Sequence, residues 1–315
     1  MIVRFGLANL PAVLDEVGIE RPLLVASPRW RALDLPHVAR VEQVPSERVD
    51  VPAQADGILA VGGGSAVDTG KLASAQSGLP LVSVPTTYAG AEWTTFFGVR
   101  SPDRRMRGGG GGAIPVGIVY DVDLTLGLPP AETAGTALNA LAHCAEALYV
   151  RGRSAEGDEQ ALAGAPLIAE ALPRVLRAPA DRGAREALLR GAMHAGHALG
   201  LAGLGLAHAM AQAVGGAYGL PHGAMNALCL PPALDYNRAA VPAAVDRFGA
   251  AIGGDAVERT RELARAAGFE RLRDFGVPAD DLPALAEAAA GRGGNLANPR
   301  RATPAEIEAL YRAVY

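Results

Sequence analysis

The chain has 315 residues, half of them hydrophobic, and 29 basic against 33 acidic side chains leave a net charge of −4. A chain of that size buries one large or two medium cores without staples, which excludes disulfide scaffolds, metal fingers and disordered classes. With no excess of positive charge to displace phosphate counterions, a nucleic-acid partner is excluded as well.

Met1 runs directly into Ile2-Val3-Arg4-Phe5-Gly6, without the basic segment and apolar run of a signal peptide. No stretch of about 18 uninterrupted apolar residues follows. Cys144 and Cys229, the two cysteines, each lie in an apolar stretch, as reduced buried thiols do. A cytoplasmic protein with no membrane partner is expected. Residues 23–26, 57–61, 80–84 and 116–120 read as strands whose continuous apolar character suits a parallel sheet covered on both faces. A short amphipathic helix over 66–77 lies between the second and third and completes a βαβ unit. After Arg104-Arg105-Met106-Arg107, the five glycines 108–112 are expected to form a mobile loop at the edge of a cleft, or a disordered surface excursion. From Pro129-Pro130 onward the pattern is helical, over 131–150, 159–175, 183–202, 204–214, 223–235, 239–252, 255–268, 280–291 and 304–315. The expected architecture is α/β + α: a doubly wound parallel-sheet nucleotide-binding domain over residues 1–125, then an all-helical domain over 126–315.

The strand ending at Val61 runs into Gly62-Gly63-Gly64-Ser65-Ala66-Val67-Asp68-Thr69-Gly70-Lys71. Three glycines between a parallel strand and a helix let backbone N–H groups approach an anion closely, with a diphosphate as the natural occupant. The plain alternative is a tight strand–helix turn. Asp68 and Lys71 stand at i and i+3, near enough to pair. Lys71 is the only lysine in an otherwise arginine-only chain, which favours a role in this site over a surface pair. The next strand ends in Val84-Pro85-Thr86-Thr87-Tyr88, placing two hydroxyls and a phenol at the carboxyl edge of the sheet, where ligands of such folds bind. A polar loop with a helix cap is the alternative there.

In the helical half, Asn139 and His143 stand at i, i+4 on one face of an apolar helix, and His208 and Gln212 repeat the spacing. His222 opens a further helix after Leu220-Pro221. A single histidine on an apolar face reads as a hydrogen-bonded core residue; three in matched contexts point to a site. His194 and His197, at i, i+3, read as packing or surface residues.

Taken together, Gly62-Gly63-Gly64-Ser65-x-x-Asp68-x-x-Lys71, Pro85-Thr86-Thr87-Tyr88-Ala89-Gly90-x-Glu92, Asn139-Ala140-x-x-His143-x-x-Glu146-Ala147, and His208 with Pro221-His222-Gly223 resemble the iron-containing alcohol dehydrogenase family. Within that family the maleylacetate reductase branch is the most similar. The resemblance runs from Phe5-Gly6 to Asn298-Pro299-Arg300-Arg301. It implies a dehydroquinate-synthase-like fold, NAD(P)H bound between the two domains, a small-molecule substrate and a homodimer. It makes Gly62, Gly63, Gly64 and Ser65 the diphosphate contacts and sets Asp68, Thr86 and Thr87 along the cofactor. Metal-using members bind one divalent ion through an Asp and three His, at the positions of Asn139, His143, His208 and His222. The Asn resembles the maleylacetate reductases, which work without a required metal, and it removes the only anionic ligand. A vestigial zinc or iron site on His143, His208 and His222 is the alternative. The chain departs from the family at Gln212, where another histidine is usual, at Ala91, where serine is usual, and at the arginine–glycine segment. Glutamine exchanges no proton at neutral pH.

The expected function is an NAD(P)H-dependent reductase of a small polar, carboxylated carbonyl or enoyl compound. Hydride would pass in the interdomain cleft, with a proton from His143, His208 or His222, and with Asn139 and Tyr88 orienting the substrate. Arg104, Arg105 and Arg107 either pair with a substrate carboxylate or are solvated surface residues. Two alternatives stand: a metal-dependent alcohol dehydrogenase of the same fold, and a non-redox enzyme of elimination, cyclisation or rearrangement.

Overall fold

The computed structural model describes every residue except Arg104, and of Met106 only the backbone. It divides into two compact units, Met1–Leu128 and Pro129–Tyr315.

The strands of the first unit are β1 Ile2–Phe5, β2 Pro22–Ala26, β3 Ala39–Val41, β4 Gly57–Gly62, β5 Leu81–Pro85, β6 Phe97–Arg100, β7 Met106–Gly110 and β8 Gly117–Tyr120. Six of them form one wholly parallel sheet in the order β1-β8-β5-β4-β2-β3. The four central strands are buried along their whole length, as their unbroken apolar runs require. Helix α1, Leu10–Glu16, packs with Leu24, Leu59, Val61, Val82, Val84 and Val119 on one face. Helix α2, Gly64–Ser77, packs Leu72 and Ala73 with Leu23, Val25, Ile58, Ala60 and Leu81 on the other. A sheet covered on both faces in this way is the doubly wound arrangement. A third helix, α3, Asp123–Leu126, ends the unit. The edge strands β1 and β3 were not among the predicted ones: each is short, partly exposed and interrupted by an arginine, Arg4 or Arg40, so neither reads as a continuous apolar run.

The glycine run corrects an expectation. Residues 108–110 are not a loose loop but part of β7, paired antiparallel with β6 in the register Phe97↔Gly110, Gly98↔Gly109 and Val99↔Gly108. The reason is steric. A Cβ on Gly110 would lie 2.5 Å from Cζ of Phe97, and one on Gly109 would lie 3.0 Å from the Phe97 carbonyl oxygen. The Phe97 ring thus covers Gly110, and only a residue without a side chain fits beneath it.

The second unit holds α4 Pro130–Ala147, α5 Ala155–Arg177, α6 Arg182–Ala202, α7 Leu206–Tyr218, α8 His222–Arg238, α9 Pro242–Ala251, α10 Ala256–Ala266, α11 Leu282–Ala290, α12 Gly293–Ala297 and α13 Pro304–Arg312. Among the described residues it contains no strand. The α5–α6 pair approaches closely because a Cβ on Gly164 would lie 2.8 Å from the Gly191 carbonyl oxygen. His194, on α6, reaches Gln160 across this contact at 2.7 Å, a packing role. Both cysteines are buried and free. Among the described residues no single helix is long and apolar enough to cross a membrane; α6 and α7 reach that composition together only across a bend of 100°.

Candidate functional site

The glycine turn lies where β4 ends and α2 begins. Gly62 has φ +149, outside the range favoured by other residues, and a Cβ there would lie 2.7 Å from Cβ of Ala66. A Cβ on Gly63 would lie 2.8 Å from Cγ2 of Thr87, whereas one on Gly64 meets no protein atom nearer than 3.6 Å. The first two glycines are therefore demanded by the chain's own packing, and the third leaves room. No side chain caps α2 at Gly63, and the Ala66 and Val67 N–H groups donate to the Gly63 carbonyl at 2.9 and 3.2 Å, so the N–H groups of Gly64 and Ser65 are the ones turned out for an anion. The threonine turn sits beside it: Gly62 pairs with Pro85 in register, and the Thr86 N–H donates to the Gly62 carbonyl at 3.0 Å. Thr86 and Tyr88 are buried and Thr87 is half-buried. Gly62, Gly63, Gly64, Ser65, Thr86 and Thr87 thus lie together along the edge where β4 and β5 end.

Lys71 has a different place from the one expected. It is fully buried, and its ammonium donates to the Ala91 carbonyl, to Thr94 Oγ1 at 2.7 Å and to the Phe96 carbonyl at 3.1 Å. It fixes the segment after the threonine turn from beneath and does not reach toward a ligand. Asp68 accepts from the Gly98 N–H at 3.2 Å and anchors β6; burial raises its pKa. Glu92, also buried, accepts from the Tyr120 hydroxyl at 2.6 Å, which in turn accepts from Trp93 Nε1 at 2.7 Å.

Burial lowers the pKa of Lys71 from 10.5 to about 8, and the attraction of Asp68 and Glu92 offsets this only in part. Below about pH 8 folded and unfolded chains both hold the proton. Between 8 and 10.5 the unfolded chain holds more, so stability from this group rises with pH across that window. Urea unfolding at about pH 7.5 and about pH 9.5 should show the native protein gaining stability relative to Lys71→Met. A native protein that loses ground to the variant over that interval would contradict this account.

The helical unit brings the second constellation together. Asn139, His143 and Glu146 lie on α4, His208 on α7, and His222 and Asn226 on α8. The His143 and His208 rings stack at 4.8 Å, and His208 and His222 lie tilted at 5.7 Å. Asn139 stands among them: its Nδ2 lies 3.3 Å from His143 Nε2, and its Oδ1 lies 3.3 Å from His208 Nε2. Asn226 Nδ2 bridges Asn139 Oδ1 at 2.7 Å and His222 Nε2 at 2.9 Å. His208 Nδ1 donates to Glu146 Oε2 at 2.6 Å, because a carboxylate oxygen can only accept. The same carboxylate accepts from the Gly205 N–H at 2.7 Å and the His208 N–H at 3.2 Å, capping α7 from a neighbouring helix. Burial, and then His208 and His222, hold the pKa of His143 well below the usual histidine range. Asn139, His143 and His208 are buried, and His222 is half-buried.

Asn139, His143, His208 and His222, all named from the sequence, therefore meet in one cluster. Asn226 was missed, although it stands i+4 from His222, the spacing already noted for Asn139 and His143. Glu146 was noted as a motif residue without a role. Gln212, one turn beyond His208, is half-buried. Arg105 and Arg107 pair with Asp103 at 3.4 Å and Glu47 at 3.8 Å, as exposed surface ion pairs, and Arg104 lies outside the described residues.

Two family models match the chain: iron-containing alcohol dehydrogenase over residues 3–121, and the C-terminal part of the Fe-containing alcohol dehydrogenase family over residues 133–315. Maleylacetate reductase from Burkholderia cepacia is 34% identical over 305 residues, covering 90% of this chain and 86% of its own length. The solved maleylacetate reductase from Agrobacterium tumefaciens has a TM-score of 0.88 at 30% identity, over 100% of this chain and 95% of its own. An iron-containing alcohol dehydrogenase from Corynebacterium glutamicum has a TM-score of 0.89 at 27% identity, over 100% of this chain and 94% of its own. Matched in both units and related over nearly its full length, the chain belongs to the iron-containing alcohol dehydrogenase family of oxidoreductases.

Proposed function

We propose that the protein is an NAD(P)H-dependent reductase of a small carboxylated carbonyl or enoyl compound of the maleylacetate class. The observation that carries this reading is Asn139 at the centre of three histidines: a dense polar cluster with an amide where a metal centre needs an anionic ligand. The relatives named maleylacetate reductase support the substrate class.

An iron or zinc ion does not fit the residues as they stand. The set offers three imidazoles and a weak amide oxygen, and amide groups already lie against Nε2 of His143 and of His222. Among the described residues no group of three His, Cys, Asp or Glu is arranged to hold a metal.

When bound, the nicotinamide cofactor supplies the hydride. Gly62, Gly63, Gly64 and Ser65 hold its diphosphate with backbone N–H groups, and Asp68, Thr86 and Thr87 line its length. Asn139 and Tyr88 orient the substrate. The histidine cluster supplies the proton, with His222 its half-buried member. We also read the protein as cytoplasmic and without nucleic-acid or membrane partners, which the acidic balance and the free buried cysteines favour, and as a homodimer, which rests on the family resemblance alone.

Purified protein should oxidise NADH or NADPH on addition of maleylacetate and continue to do so in excess chelator. Loss of turnover with the chelator would favour the metal-dependent alcohol dehydrogenase. Substrate conversion without consumption of reduced nicotinamide would favour non-redox chemistry.

A further inference from the structure

The metal-free reading leaves a physical question about the helical unit. Three buried or half-buried imidazoles within 5.7 Å of their neighbours need something to organise their nitrogen atoms, and a shared cation is the usual answer. Here Nε2 of two of the three takes an amide N–H, His143 from Asn139 Nδ2 at 3.3 Å and His222 from Asn226 Nδ2 at 2.9 Å, whereas Nε2 of His208 faces the Asn139 amide oxygen at 3.3 Å. The two amides are joined to each other at 2.7 Å. A cation bound by the three histidines would need the Nε2 lone pairs of His143 and His222 that these two N–H groups already occupy. Amide pair and cation therefore compete for one set of atoms, and they cannot both be satisfied.

Two further observations give this arrangement a direction and an anchor. Glu146 accepts a hydrogen bond from His208 Nδ1, which leaves Nε2 of that ring as a lone pair turned toward Asn139 Oδ1. Asn226 is fully buried, so its amide is held in place by packing and cannot swing out to water. Asparagine is also uncharged. It fills the centre without the desolvation cost of an unpaired carboxylate, a cost that becomes tolerable only when a cation is present.

We propose that Asn226 is a positioning residue that, with Asn139, occupies the place of a metal ion: the linked amides hold Nε2 of His143 and His222 and shut out divalent cations. This inference rests on the metal-independent reading above but adds a residue and a mechanism of exclusion to it. It also makes metal binding recoverable, because turning either amide into a carboxylate removes an N–H donor and supplies the missing anionic ligand in one step.

The test is calorimetric titration of the purified protein, Asn139→Asp and Asn226→Asp with zinc chloride, with folding checked by circular dichroism and thermal melting. Each variant is expected to bind one zinc about 100-fold more tightly than the native protein, the scale on which neighbours of metal ligands act. Native protein that binds one zinc as tightly as the variants would overturn the proposal, as would two folded variants with no gain in affinity. Should the variants fail to fold, histidine-selective 15N spectra of the native protein decide instead. The Nε2 resonances of the three rings should stay unmoved by zinc, and their displacement would overturn the proposal. The reductase reading fails separately, through absence of nicotinamide oxidation by the native protein.

Discussion

Glu146→Ala is expected to lower the unfolding free energy by about 3 kcal/mol or more, the usual scale for removing one partner of a buried polar pair. The carboxylate is fully buried and accepts three hydrogen bonds, from His208 Nδ1, the Gly205 N–H and the His208 N–H. Alanine leaves all three donors without acceptors in a place water does not reach, and each such group carries its own desolvation cost of about 1–3 kcal/mol. Two of those donors belong to the first turn of α7, so the loss falls on a helix start as well as on a side chain. A Cβ on Gly205 would already lie 2.9 Å from Glu146 Oε1, which shows how closely the carboxylate fills its space. Glu146→Gln is the matched control. It keeps the shape and one acceptor oxygen, and should recover most of the stability while presenting an amide to His208 Nδ1. Urea denaturation of the three proteins measures the difference. An alanine variant within about 1 kcal/mol of the native protein would mean that water or another group satisfies these donors.

The second large effect is expected at the glycine turn, where two substitutions separate packing from ligand binding. Gly63→Val should unfold or displace the turn, since even its Cβ would lie 2.8 Å from Thr87 Cγ2. Gly64→Ala should fold as the native protein does, because its Cβ meets nothing of the chain nearer than 3.6 Å. If the open side of Gly64 is where a diphosphate approaches the first N–H groups of α2, the added methyl should still weaken NADH binding by about tenfold, or about 1.4 kcal/mol. Fluorescence titration with NADH and a thermal melt of the same sample give both numbers. Native affinity in a natively folded Gly64→Ala protein would remove this turn from the cofactor site.

Much of the architecture was legible because it is written in short-range patterns. Strands buried on both faces need unbroken apolar runs, and β2, β4, β5 and β8 carry them. The glycine and threonine turns could be set side by side because adjacent parallel strands end on the same edge. Asn139 and His143 could be put on one face because helical spacing alone places i and i+4 together. The errors have the same origin. Glycines 108–110 carry no apolar signal, and nothing local announces that the Phe97 ring will lie over Gly110.

What local pattern cannot carry is the identity of a partner far away in the chain. Asn139 meets Asn226 across 87 residues, and His208 meets Glu146 across 62. Lys71 illustrates the point from the other side. Its singularity in the sequence marked it as important, but whether it faces a ligand or the interior depended on the path of residues 91–96, whose carbonyls and hydroxyl it holds. Residue type and spacing therefore determined which groups were available and which faces they shared. Which lone pair meets which N–H was decided only when the helices packed, because a hydrogen bond is made or lost over a few tenths of an ångström and no periodicity in a sequence resolves that distance.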